Sequence, residues 1–228
     1  VKHGAFVKMV ASIMGGMDKG EPLPELPPVN VYPQIAMKTK ASIEQAQVCV
    51  AAPSYPMVHE KRFGCYLMNT ILGGGMSSRL FQNVRERQGL VYHISSELSL
   101  YRDTGAMAIY AGTSPQSLRK VVSSVMEELR AIKDGPIQEA ELRRAKENLK
   151  ASGVLGLESS SSRMSNLARQ EIFFGRFLDL DETIAAIEGV TIADIRDIAQ
   201  TFLKPENMAL TVVGPAGTEK FTRRDLVC

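Results

Sequence analysis

Residues 71–92, ILGGGMSSRLFQNVRERQGLVY, decide how the chain is read, because they hold the end of one helix, the start of another and the entry to a strand. Gly73, Gly74 and Gly75 supply the positive-φ freedom that ends the first helix, and Ser77 or Ser78 is placed to cap the second by accepting from its free N–H groups. The second helix carries Leu80, Phe81 and Val84 on one face and Arg79, Arg85 and Arg87 elsewhere, stops at Gly89 and gives way to a strand at Leu90. Arg85 and Tyr92 therefore stand at the two ends of a tight helix-to-strand junction.

Upstream, Phe63, Tyr66, Leu67 and Ile71 recur at helical spacing and lead into the glycines. Before them IAMKTKA and QAQVCVAA read as two strands forming a sheet edge. Downstream, Tyr92, Ile94, Leu98 and Leu100 are expected on one face of a strand and His93, Ser95, Glu97 and Ser99 on the other, so one side of the sheet is covered. A turn at Arg102–Gly105 returns AMAIYAGT as its antiparallel partner. Ser114-Pro115 then starts a helix whose apolar stripe is Leu118, Val121, Val122, Val125, Met126, Leu129 and Ile132. Helices are expected from Glu139 to about Leu155, Ser160 to about Phe174, around Ile184, and Ile192 to Leu203. The last carries a capping box, Thr191 with Asp194, and a hydrophobic staple, Val190 with Ile195. After Lys204-Pro205, MALTVVG is a closing strand. Strands, helices and a final strand give an α+β fold, an antiparallel sheet packed on one face by several helices. The tail KFTRRDLVC shows no usable pattern.

At the other end Phe6, Val7, Val10, Ile13 and Met14 form an uncapped helix closed by Gly15-Gly16, and the proline-dense EPLPELPPVNVYP follows as a linker. The expected organisation is a terminal helix in 1–20, a linker in 21–33, one α+β domain in 34–216 and a tail in 217–228. A chain of 228 residues has room for one such domain. With 44% apolar residues, 23% charged residues and a net charge of +2, it lacks the basic excess of a nucleic-acid binder. No apolar run approaches a membrane span, and VKHGAFVKMV lacks the layout of a signal peptide. Three cysteines, Cys49, Cys65 and Cys228, give neither a metal spacing nor a disulfide framework, which favours a soluble protein of a reducing compartment such as the cytoplasm.

LGGGMSSRLF followed by VRERQGLVY resembles the signature of the insulinase or mitochondrial-processing-peptidase family of zinc metallopeptidases, in the second half-domain, which carries no zinc ligands. YRDTGAMAIYAGT, ELRRAKENLKASGVLGLESSSSRM and VTIADIRDIAQTFLKPENMALTVVGP extend the resemblance, in order, over roughly Tyr32 to Gly214. The resemblance implies an α/β-roll half-domain that completes a peptide chamber and is inert alone. It also implies an N-terminal zinc-binding half-domain as partner, peptide as substrate and self-association, with residues 1–20 as the last helix of the preceding half. Arg85 and Tyr92 would bind the substrate backbone and stabilise charge near the scissile bond, with Gly74 and Gly75 among the substrate-binding residues. The alternative within the family is a non-catalytic peptide-binding or scaffold subunit.

The family's zinc motif, a histidine followed by glutamate and histidine three and four residues on, is absent from the sequence. His59-Glu60-Lys61-Arg62-Phe63 begins like HExxH but has Phe63 where the second ligand belongs. No metal is expected on this chain, and zinc is expected in the complementary half. The triple glycine also permits an anion-binding reading, but no strand precedes it and no lysine-serine follows.

Overall fold

In the computed structural model, which describes residues 2–18, 20–21, 27, 29–215 and 219–228, the strands present alternate residues to a single layer of helices. The strands are β1 (Ile35–Thr39), β2 (Ala46–Ser54), β3 (Val91–Leu100), β4 (Gly105–Thr113) and β5 (Ala209–Gly214), in the order β1-β5-β2-β4-β3. Ala46, Val48, Val50 and Ala52 of β2, Met107, Ile109 and Ala111 of β4, and Leu210 and Val212 of β5 are all buried on one face. Each of those strands alternates with a period of two, as a sheet covered on one side requires. The architecture is α+β, as the sequence implies.

The strands at the start of the chain are arranged differently from the expected edge pair. Only β1 lies at the edge; β5 enters between β1 and β2, pairing parallel with β1 (Ile35 opposite Leu210) and antiparallel with β2 (Val50 opposite Leu210). The sheet is therefore mixed rather than wholly antiparallel. Alternation within a strand reports its buried face but carries no information on which strand sits beside it.

The covering layer begins with α1 excluded and runs through α2 (Arg62–Gly73), a short corner helix (Phe81–Arg87), α3 (Leu118–Lys133), α4 (Glu139–Gly156), α5 (Ser160–Phe174), α6 (Leu180–Gly189) and α7 (Ile192–Phe202). Every residue of the expected stripe on α3 is buried. On α7 the Asp194 N–H donates to Thr191 Oγ1 at 3.2 Å and the Thr191 N–H donates to Asp194 Oδ2 at 2.8 Å, forming the capping box. Those bonds hold the Asp194 carboxyl below its ordinary range. Ser159 caps α5 by accepting from the Ser162 N–H.

Helix α1 (His3–Met14) buries none of its residues, and Phe6 and Ile13 are 50% and 74% exposed. Residues 22–26 and 28 of the proline-dense linker, and 216–218 between domain and tail, lie outside the described residues. The tail is packed, although its sequence is unpatterned. Arg119 donates to Glu219 at 2.6 Å and to Asp225 at 2.7 Å, while Phe221, Leu226 and Cys228 are buried. Among the described residues no helix is long and apolar enough to cross a membrane.

Gly73 ends α2 against β3. A Cβ on Gly73 would lie 2.6 Å from both the backbone nitrogen and Oγ of Ser96, whereas a Cβ on Gly75 would meet nothing within 4 Å. Gly73→Ala is expected to destabilise the fold by about 1–3 kcal/mol through overpacking. Gly75→Ala, two positions on, is expected to stay within about 0.5 kcal/mol of the parent. Urea denaturation of the two variants checks this, and equal stabilities would contradict it.

Candidate functional site

The corner after α2 is built by close packing. Neither Gly73, Gly74 nor Gly75 has a positive φ, and Gly74 sits at φ −79° and ψ 11°. The expectation of left-handed glycines is corrected here: their lack of a Cβ admits Ser96 against Gly73 and Thr70 Cα against Gly74. Neither serine caps the following helix. Ser78 is buried and its hydroxyl donates back to the Gly75 carbonyl at 2.5 Å, which closes the turn instead.

The helix that follows is wider than an α-helix. The Gln88 N–H donates to the Asn83 carbonyl five residues back at 3.1 Å, a π-type closure, while Leu80 and Val84 are fully buried. Side chains hold the wide turn to α3. Gln88 Nε2 donates to Asn83 Oδ1, Asn83 Nδ2 donates to Glu128 Oε1 at 2.6 Å, and the buried Ser124 hydroxyl donates to Gln88 Oε1. Gly89, at φ +62°, then lets the Leu90 N–H reach back to the Val84 carbonyl at 3.1 Å and ends the helix. At the other end, Arg79 Nε and Nη2 each donate to Glu141 at 2.8 Å, and Nη2 also donates to the Pro136 carbonyl at 2.9 Å. The guanidinium holds the Glu141 carboxyl below the usual carboxylate range, and Glu141 raises Arg79.

Tyr92 does not join Ile94 on the covered face, as alternation implies. Val91 lies opposite Thr113 and His93 opposite Gly112, so Tyr92 is the extra residue of a β-bulge and is 82% exposed. A bulge shifts the register by one and re-aims the side chain it contains. Thr113 Oγ1 donates to the Leu90 carbonyl at 2.6 Å and anchors the strand entry.

These two irregularities bring Arg85 and Tyr92 together. The Arg85 guanidinium carbon lies 4.5 Å from the Phe81 ring centroid and 5.7 Å from that of Tyr92. Stacking on ring faces restrains the planar cation and leaves its N–H edge available to carbonyl or carboxylate oxygens. Its ionic neighbour, Glu86, is 3.8 Å away, beyond hydrogen-bond length. Tyr92 also lines a hollow of about 270 Å³ on the uncovered face of the sheet, together with Gln45, Gln47, Cys49, His93 and Tyr110. Gly74 and Gly75 are not part of its wall.

Residues around this hollow were missed in the sequence because they belong to three separate strands. Their signal was the polar half of each alternation: Gln47 and Cys49 flank the buried Val48, and Tyr110 follows the buried Ile109. Burial pushes the Cys49 thiol up, and Tyr110, its cross-strand neighbour, is raised mainly by the charge on Cys49.

The residues on this chain do not fit zinc. The His59 ring stacks on Tyr55 at 3.8 Å and its Nδ1 accepts from the Lys61 N–H, while Phe63, at the second ligand position, lies under Arg62. His93 pairs with Ser95. Among the described residues no three histidine, cysteine or carboxylate side chains converge.

A family model described as "Peptidase M16 inactive domain" matches residues 1–149. The chain is 36% identical over 178 residues to "Uncharacterized zinc protease YmxG" of Bacillus subtilis, covering 78% of this chain and 43% of that protein. It is 32% identical over 231 residues to "Uncharacterized zinc protease ML0855" of Mycobacterium leprae, covering 99% of this chain and 52% of the other. The chain thus spans about half the length of these curated relatives. Among solved structures, a protease from Helicobacter pylori superposes with a TM-score of 0.82 at 20% identity, over 94% of this chain and 53% of that one. A peptidase M16 inactive domain from Pseudomonas fluorescens gives a TM-score of 0.82 at 21% identity, over 97% and 53%.

The Arg79–Glu141 pair makes a pH-dependent contribution to stability. Because the folded Glu141 is held below its unfolded value, its contribution is present above the ordinary carboxylate range and is lost as pH falls through it. Glu141→Gln is expected to cost about 1–2 kcal/mol at neutral pH, as charge-assisted bonds at a partly exposed site do. In urea titrations the gap between parent and variant should close between about pH 5 and pH 3. A gap that stays constant over that range would contradict the assignment.

Proposed function

The chain belongs to the M16 peptidase family, in the class of domain described as inactive, and we propose that it is the second half of a zinc-dependent endopeptidase. In this reading it forms one wall of a peptide chamber and is inert alone, while zinc is held by an N-terminal half-domain or subunit. The names of the relatives as zinc proteases, each about twice the length of this chain, support the need for that other half. Exposed apolar residues on α1 support reading residues 1–20 as the end of a preceding half-domain.

The single observation that carries the proposal is the stack of Arg85 on Phe81 and Tyr92 beside an uncovered sheet face. A general surface arginine is held by carboxylates or by nothing. This one is held by rings, so its orientation is fixed while its donors face outward. Arg85 would donate to peptide carbonyl oxygens and so position the extended substrate. Tyr92, thrown clear of the sheet by the bulge, would donate its phenolic hydrogen to the scissile carbonyl oxygen as negative charge develops there. A donor already in place when charge forms stabilises the transition state more than the ground state. The corner glycines would let a peptide backbone pass close to the site, with Gly75 open on its outer side.

In the complete protein, Tyr92→Phe is expected to lower kcat about 10²- to 10³-fold with little change in KM, the signature of a contact made mainly in the transition state. Arg85→Ala is expected to raise KM as well. Steady-state cleavage of a quenched fluorescent peptide, with the oligomeric state checked by sizing, measures both. Unchanged turnover in Tyr92→Phe with intact assembly would instead assign the chain to a scaffold or peptide-holding role.

A further inference from the structure

The hollow beside Tyr92 is unlike the rest of the uncovered sheet face, because a missing side chain creates it. A Cβ on Gly112 would lie 3.2 Å from Gln45 Oε1 and 3.3 Å from the Gln47 amide, so glycine leaves space there for the two amides and for whatever enters between them. Cys49 and Tyr110 stand opposite each other on β2 and β4 and form another part of the wall. At about 270 Å³ the hollow falls short of the roughly 300–1,000 Å³ of pockets that enclose whole small molecules. It is large enough for a single bulky side chain.

No residue lining it carries a permanent charge. An ammonium or carboxylate entering would lose hydration and gain no counter-ion, whereas an aromatic or branched aliphatic group would meet the Tyr92 and Tyr110 rings. Tyr92 belongs both to this wall and to the Arg85 stack, so a peptide held by Arg85 must pass the mouth of the hollow.

We propose that this hollow is a specificity subsite that takes one large uncharged side chain, aromatic or branched aliphatic, of the peptide bound by Arg85 and Tyr92. The inference rests on the peptide-binding reading above and adds a sequence preference to it. Charged residues are rejected at this one position and tolerated elsewhere along the peptide.

Cys49 reports occupancy without any need for turnover. It is half-buried in the wall of the hollow, while Cys65 and Cys228 are buried in the core. The test follows alkylation of Cys49 by iodoacetamide in the complete protein, read by mass-spectrometric peptide mapping. Synthetic Ala/Ser peptides carrying Phe, Leu, Asp or Lys at one scanned position serve as probes. Phe and Leu peptides are expected to slow labelling about tenfold at some position where Asp and Lys peptides slow it less than about twofold, the range by which apolar pockets discriminate. Gly112→Val, which fills the hollow, should erase that difference. If it fails to fold, Tyr110→Ala, which removes one ring from the wall, should reduce protection by the Phe peptide about tenfold. Equal protection by all four peptides, or a preference surviving both substitutions, would overturn this subsite and leave peptide binding standing. No protection by any peptide would overturn both readings together.

Discussion

Gly73 approaches the backbone of Ser96 so closely that no side chain fits between them, and this contact fixes where α2 ends over β3. Everything near the candidate site follows from it. The chain must reverse at once, which places Ser78 beneath the turn and starts the corner helix directly against α3 and α4. Arg79, bound to Glu141, fixes one end of that helix, and Asn83 and Gln88, linked to Glu128 and Ser124, fix the other. Two departures from regular geometry then come in succession, a widened helical turn and a β-bulge, and each re-aims one residue of the stacked pair. Such irregularities carry a local cost and persist where surrounding contacts determine them.

Much of the fold could be read from the sequence because the covering layer obeys simple periodicity. The stripe from Leu118 to Ile132 could serve only as a buried helical face, and Thr191 with Asp194 could hardly be other than a helix start. Strand order could not be read. The pairing of Ile35 with Leu210 joins two segments that carry no mutual signal, and the packing of Phe221 and Leu226 depends on arginines from α3. The site was half legible. The corner motif drew attention to Arg85 and Tyr92, yet alternation alone assigned Tyr92 to the covered face, because a bulge leaves no reliable mark in a single sequence. The hollow formed by Gln47, Cys49 and Tyr110 was invisible as a unit, since each residue reads as the ordinary outward half of a strand.

The molecule separates two tasks between the faces of one sheet. The helical face holds the apolar core, and the other presents His93, Ser95, Tyr110, Gln47 and Cys49 with no helix over them. An unshielded face is costly for an isolated protein and useful to one that shares an enclosed space with a partner. That division accords with a chain spanning about half the length of its relatives.

The insertion of β5 between β1 and β2 has a consequence for biosynthesis. A ribosome delivers β2, β3 and β4 long before β5, so the growing polypeptide can assemble its β2-β4-β3 portion early, while β1 has no neighbour in the sheet until Ala209–Gly214 emerges. Throughout translation of α3 to α7, the inner margin of β2 remains a row of unsatisfied peptide groups flanked by Val48 and Val50. Closing that gap joins the two ends of the domain and is delayed by the loop entropy of everything between them. The nascent chain thus carries an adhesive seam for most of its synthesis, and the last strand to be made is the one that seals it.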